Sequence, residues 1–245
     1  MTEAEWLTCT EPQNMMEFLG RKASNRKLRL FACGCCRRIW NLLSDVRSKR
    51  AVDLAEAFAD ELADQSSLES VTADLALIPN RYYGTFGLIM REILHQPVEQ
   101  EGVEALLDVL LDHDEWATGA ILASYCAVVS PSLAPEVAVT TAAMARARPQ
   151  FAEMLRAERV SQSVMIRDIF CNPFRPISSH PSWLTHTVIS LAQGIYKDQA
   201  FDRLPILADA LEEAGCTTAE ILDHCRQPGP HVRGCWVVDL LLDRR

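Results

Sequence analysis

The chain has 245 residues, 49% of them hydrophobic and 23% charged, with a formal net charge of −9 at pH 7. That length buries a substantial core in one domain or two closely joined ones, and the acidic balance argues against a protein coated for DNA. Nine cysteines, an odd number with Cys35 and Cys36 adjacent, do not read as a secreted disulfide framework. Reduced thiols in a cytoplasm are expected.

The N-terminal stretch MTEAEWLTCTEP lacks a basic head followed by an apolar run, so no signal peptide is expected. Ser24 is placed to cap a helix that opens at Asn25 and runs to about Leu43. Leu28, Phe31, Ala32, Cys35, Ile39, Leu42 and Leu43 share one face of it, with Cys36 at the edge. Arg26, Lys27, Arg37 and Asn41 fall roughly opposite. Cys33 points away from Cys35 and Cys36, so the three thiols cannot meet on one metal while the segment is helical. Cys35 and Cys36 are expected to pack as small hydrophobes, and Cys33 to face the Arg37 side.

Ser48 to Leu62 reads as a second helix and Ser66 to Leu77 as a third, with a turn over PNRYYGT, residues 79 to 85. Further helical patterns cover Leu88 to Leu94 and Val103 to Leu111. Trp116 to Pro135 carries no charge, but Ser and Pro in its second half leave an apolar run shorter than the roughly 20 residues of a membrane span. A buried helix before a proline-rich turn is expected, and no membrane partner. The pattern from Pro135 to Phe170 is too long for one helix, and a break is expected near Pro149.

CNPFRPISSHP, residues 171 to 181, has three prolines in eleven positions and cannot sustain a helix. Beyond it, Thr185 to Tyr196 reads as a helix. Asp202 is placed to cap Arg203 to Ala214, with Gly215 as the stop. Thr217 to Glu220 reads as a capping box for a short helix through His224. His231 to Leu242 reads as a final buried helix; a strand is the alternative, disfavoured because no partner strand is evident. The expected architecture is all-α: a compact multi-helix body over residues 1–170, a proline-rich connection at 171–181 and a C-terminal helical module at 182–245.

Taken together, MTEAEWLTCTEP, KASNRKLRLFACGCCRRIW, DIFCNPFRP, AFDRLPILADALEEAGC and GPHVRGCWVVDLLL resemble a family of uncharacterised proteins expanded in planctomycete bacteria. The resemblance covers both ends of the chain better than its middle and brings no established activity or catalytic residue. It implies a bacterial, cytoplasmic protein. Many related copies suit a partner-specific adaptor or a regulatory role.

Two clusters carry the candidate chemistry. Residues 21 to 50 hold ten Lys or Arg against one acid, Asp45, a local +9 that leaves −18 for the remainder. The ridge Arg26, Lys27, Arg29, Arg37 and Arg38 is therefore a candidate contact for another protein with an acidic surface. Nucleic acid, RNA or DNA, is the alternative partner. The plainer reading is that these cations pair with the acidic remainder of the chain or lie in water, and it is preferred.

In the tail, His224, Cys225, His231 and Cys235 are a candidate zinc set, with Cys216 nearby. His231 and Cys235 would stand i and i+4 on one helix. The tail holds no Cys-x-x-Cys pair, so packing is preferred over zinc there and no cofactor is otherwise expected. Cys235 with His231 and Asp239 would be a poor triad, because residues on one helix point outward side by side. No phosphate loop, dinucleotide fingerprint or HExxH motif occurs. The function expected is a non-enzymatic cytoplasmic protein-interaction or regulatory module. Nucleic-acid binding, and a zinc-binding or cysteine-dependent enzyme, are the alternatives.

Overall fold

The computed structural model describes residues 1–43, 45–76 and 151–244. Among them are ten α-helices, four short 3-10 turns and no strand: α1 Glu3–Thr8, α2 Pro12–Leu19, α3 Asn25–Arg38, α4 Val46–Ala59, α5 Gln65–Ala76, α6 Phe151–Phe170, α7 His186–Asp198, α8 Leu204–Glu213, α9 Ala219–Arg226 and α10 Trp236–Leu241. The fold is all-α, as the composition and spacing predict. No helix among the described residues is long and apolar enough to cross a membrane. The helices expected between Leu88 and Val129, and the break near Pro149, lie outside the described residues.

The chain divides into two compact units, residues 1–34 with 156–245, and residues 35–155. In the first, α1 opens on a reciprocal capping box. Thr2 Oγ1 accepts from the Glu5 N–H at 3.3 Å, and the Glu5 carboxylate accepts from the Thr2 N–H at 2.7 Å. Ser24 Oγ accepts from the Lys27 N–H at 3.3 Å, so α3 begins where its cap predicts. It ends at Arg38, short of the expected Leu43, because Ile39 leaves helical backbone and a 3-10 turn follows.

The middle of α3 is buried all round. Leu30 through Cys33, Cys35 and Cys36 are each 2% exposed or less, and Cys33 belongs to the interior rather than to the polar side expected of it. Small side chains make that burial achievable. A Cβ added at Gly34 would stand 2.6 Å from Met165 Sδ, so the Met165 side chain would have to shift to admit one.

The C-terminal helices α7 to α10 share one apolar core. Val188, Ile195, Leu207, Leu211, Ile221 and Val237 are each about fully buried in it. Thr185 caps α7 by accepting from Val188 N–H at 3.3 Å, and Gly215, at φ +87°, supplies the stop after α8. Three local expectations are corrected. The residue before α8 is Arg203, and no side chain caps that helix, so Asp202 does not serve as its cap. The residue before α9 is Thr218 rather than Thr217, again without a side-chain cap, so the capping box does not form. The last helix spans only Trp236–Leu241, because Gly234 at φ +94° breaks helical backbone just ahead of it.

In the second unit α4 packs on α5. Asp45 caps α4, its carboxylate accepting from the Arg47 N–H at 2.8 Å. Ala51, Val52 and Ala55 form the buried stripe of α4, and Leu68, Val71 and Leu75 that of α5.

Candidate metal centre

The shortened last helix has a consequence for the tail cluster. His231 and Cys235 are not one turn apart on a helix. They lie at the two ends of a tight segment that turns at Gly234, and Cys235 is the residue before α10. That turn still brings them together, against His224 of α9 and Asp168 of α6. One ligand atom from each of Asp168, His224, His231 and Cys235 lies within 4.8 Å of the others. Asp168 and Cys235 are buried and the two imidazoles nearly so, with side-chain exposures of 16% and 11% for His224 and His231.

Hydrogen bonds fix the tautomers. Asp168 accepts from His231 Nδ1 at 2.6 Å and from His224 Nε2 at 3.1 Å through Oδ1, and from the Val232 N–H at 3.0 Å through Oδ2. His231 Nε2 donates to the Gln227 carbonyl at 3.3 Å. A ring that donates from both nitrogens is the imidazolium. His224 Nε2 also lies 3.2 Å from Cys235 Sγ. His224 Nδ1 accepts from the Trp236 indole N–H at 3.0 Å. With protons in place, the cluster is a satisfied, charge-neutral network.

Electrostatics agree with that assignment. Burial pushes the Asp168 carboxyl up, but the hydrogen bonds from His224 and His231 and the positive charge of His231 outweigh it and hold the group below its ordinary value. Burial likewise disfavours the His231 imidazolium, and the Asp168 hydrogen bond and charge reverse this, raising its pKa. The Cys235 thiol is pushed well up, first by complete burial and then by the Asp168 charge. Cys225 is pushed up to about 12 by burial and by the neighbouring Cys216 and Asp168.

The same donors suit a transition-metal ion. A tetrahedral zinc site separates neighbouring ligand atoms by roughly 3.3–3.6 Å. The separations here run from 2.6 Å to no more than 4.8 Å, so small rotations suffice. The surroundings of His231 fit a ligand that binds through Nδ1 and donates Nε2–H to a carbonyl. Asp168 has one oxygen held by a backbone N–H and the other turned into the cluster. The backbone of Val238 and Val237 eases negative charge onto the Cys235 sulfur. His224 alone fits differently. Its ring would need a proton on Nδ1 to bind metal through Nε2, and the indole N–H already points there.

Of the expected zinc set, His224, His231 and Cys235 are therefore brought together, and Cys225 is not. It is 1% exposed and belongs to the apolar core of α7 to α10. Asp168 completes the group. Its signal in the sequence was a carboxylate three residues after Met165 within the apolar pattern MIRDIF, a place where a charge needs a partner.

Three cations of the basic ridge, Arg26, Lys27 and Arg37, have acceptors inside their own units. Arg26 makes a two-pronged pair with Asp239, at 2.6 and 3.1 Å, and donates to Tyr196 Oη at 2.8 Å. Lys27 Nζ donates to the Ile169 carbonyl at 2.9 Å, and burial lowers its pKa. Arg37 grips Glu56 at 2.9 and 2.8 Å and Asp53 at 2.6 Å, with its guanidinium 4.1 Å from the Trp40 ring centroid. Arg29 and Arg38 are each half-buried. Two arginines beside turns also tie the chain to itself. Arg175 pairs with Glu3 at 2.6 Å, and Arg233 lies 5.0 Å from the Tyr196 ring centroid.

No family model matches the chain, and comparison with curated proteins and with solved structures gives no match either.

Proposed function

We propose that this chain is a non-enzymatic helical module that binds a single divalent transition-metal ion as a staple for its C-terminal segment. The observation that carries the reading is the convergence of Asp168, His224, His231 and Cys235 from α6, α9 and the turn before α10, with their ligand atoms within 4.8 Å. Two imidazoles, a thiolate and a carboxylate form the donor set of zinc. Four protein ligands close the coordination sphere, which is the arrangement of a structural rather than a catalytic ion.

The burial of Cys235 supports the non-enzymatic side. A nucleophile has to reach its substrate, and this thiol is 0% exposed and held protonated. A thiol ligand also suits a reducing compartment. The protein-interaction or regulatory role expected from the sequence is compatible with a stapled module. Nucleic-acid binding through residues 21 to 50 has less support, because Arg26, Lys27 and Arg37 already hold internal acceptors.

The test is elemental analysis of the full chain, expressed in zinc-supplemented medium and desalted. The expected result is near-stoichiometric zinc, lost in Asp168→Ala and Cys235→Ala variants and kept in Cys225→Ala. Metal-free protein after zinc loading would contradict the proposal.

A further inference from the structure

Resting on the metal-binding reading, the inference concerns what governs the ion's entry. The indole N–H of Trp236 donates to His224 Nδ1 at 3.0 Å. Indole nitrogen is a donor only, so this bond requires a lone pair on Nδ1 and leaves the ring's proton on Nε2. Nε2 is the nitrogen that faces Asp168 and Cys235, at 3.1 and 3.2 Å. A neutral imidazole binds metal through its unprotonated nitrogen, and the other nitrogen then carries a proton. The indole bond and coordination by His224 therefore exclude each other.

We infer that Trp236 is the gate of the metal site: the ion is captured only when the indole lets go of His224, and this residue sets the affinity. The exchange balances. The Nε2 proton of His224 is given up and Nδ1 gains one through solvent. His231 loses the proton on Nδ1 and Cys235 loses its thiol proton, so two protons leave as one dication enters. The site is neutral before, with Asp168 carboxylate beside His231 imidazolium, and neutral after, with the ion beside one carboxylate and one thiolate.

The gate is placed where its movement matters. Trp236 is the first residue of α10, is 8% exposed, and follows Cys235 directly. Its ring centroid is 5.0 Å from that of His224, which in turn is 4.9 Å from that of His231. Three residues further on, Asp239 holds Arg26. A shift of Trp236 is thus felt both at a ligand and at the anchor of the tail.

The test uses the full chain stripped with chelator and titrated with zinc. The chain has five tryptophans, and the Trp236 indole N–H signal is identified in a nitrogen-15 spectrum by its loss in Trp236→Phe. The expected result in the native chain is a shift of that signal that saturates with zinc, together with faster exchange of its proton. Trp236→Phe is expected to bind zinc roughly tenfold more tightly, because no buried donor is left without its acceptor. Removal of an ordinary supporting contact has the opposite sign, a loss of about 10–100-fold. Zinc binding with the indole signal unmoved, or equal or weaker binding by the variant, would overturn the gate. Zinc binding by the variant but not by the native chain would support the gate and overturn the metal-binding reading of the native protein. Binding by neither would overturn both.

Discussion

Arg26→Met separates an internal anchor from a solvated docking ridge. The native pair is two-pronged, at 2.6 and 3.1 Å, with side-chain exposures of 13% for Arg26 and 2% for Asp239. Methionine keeps most of the packing of the arginine stem but leaves a carboxylate in the interior. Breaking a buried pair by removing one partner costs about 3–5 kcal/mol. The partial exposure of Arg26 lets some water reach Asp239, so about 2–4 kcal/mol is expected. For a chain of this size that lowers the thermal midpoint by roughly 5–15 °C. The assay is urea denaturation followed by far-ultraviolet circular dichroism, with Arg26→Met/Asp239→Leu as the second arm. The double variant is expected to recover more than half of the loss, since it removes the orphaned charge. A single variant within about 0.5 kcal/mol of the native chain would refute the reasoning, because that is how a solvated surface cation behaves.

Two further outcomes are expected. Gly234→Ala forces a side chain onto φ +94° and sets a Cβ 3.0 Å from Leu30 Cδ1. It should destabilise by about 1–3 kcal/mol and, by misplacing Cys235, weaken zinc binding at least roughly tenfold; unchanged urea midpoint and zinc affinity would contradict this. The pH dependence of stability should change sign with metal. His231, raised above 6.5 because Asp168 outweighs burial, contributes stability that is full below its unfolded value and lost as pH rises through its folded one. Asp168, held below 3.8 by the same contacts against burial, contributes stability above its unfolded value that is lost as pH falls through its folded one. Chelated protein should therefore lose stability as pH rises above about 6.5, the ordinary value from which His231 is raised. Zinc-loaded protein should gain over the same range, because protons compete with the ion. Parallel urea midpoints with and without zinc would show the site to be inert.

The helices were legible where local chemistry decides them. Ser24, Thr185 and Gly215 mark their boundaries in the sequence and serve those roles in the fold. The misreadings came where a longer apolar pattern concealed a backbone event. The pattern from His231 to Leu242 is apolar at helical spacing, yet Gly234 takes a positive φ and delays the helix to Trp236. Cys33 read as polar-facing because an amphipathic stripe was assumed, whereas that stretch of α3 is enclosed on every side.

The site was half legible for a related reason. Metal-capable residue types in the tail are visible in sequence, and His224, His231 and Cys235 do meet. Which of the neighbours joins them is a tertiary matter. Asp168 precedes His224 by 56 positions and is brought to it only when α6 lies beside the tail segment. The basic ridge shows the converse. Its charge is plain in the sequence, but the acids that answer it, Asp239 and Glu56, are 213 and 19 residues from their arginines.

The most direct test of the metal centre is a cobalt(II) titration of the chelator-stripped full chain, followed by absorption. Cobalt substitutes for zinc and reports its own surroundings. A thiolate-to-cobalt band together with the visible bands of a tetrahedral ion, both saturating at one equivalent and both displaced by zinc, is the predicted result. A spectrum no different from cobalt in buffer, from protein whose fold is intact by circular dichroism, would contradict it and leave Asp168, His224, His231 and Cys235 as a proton-held network.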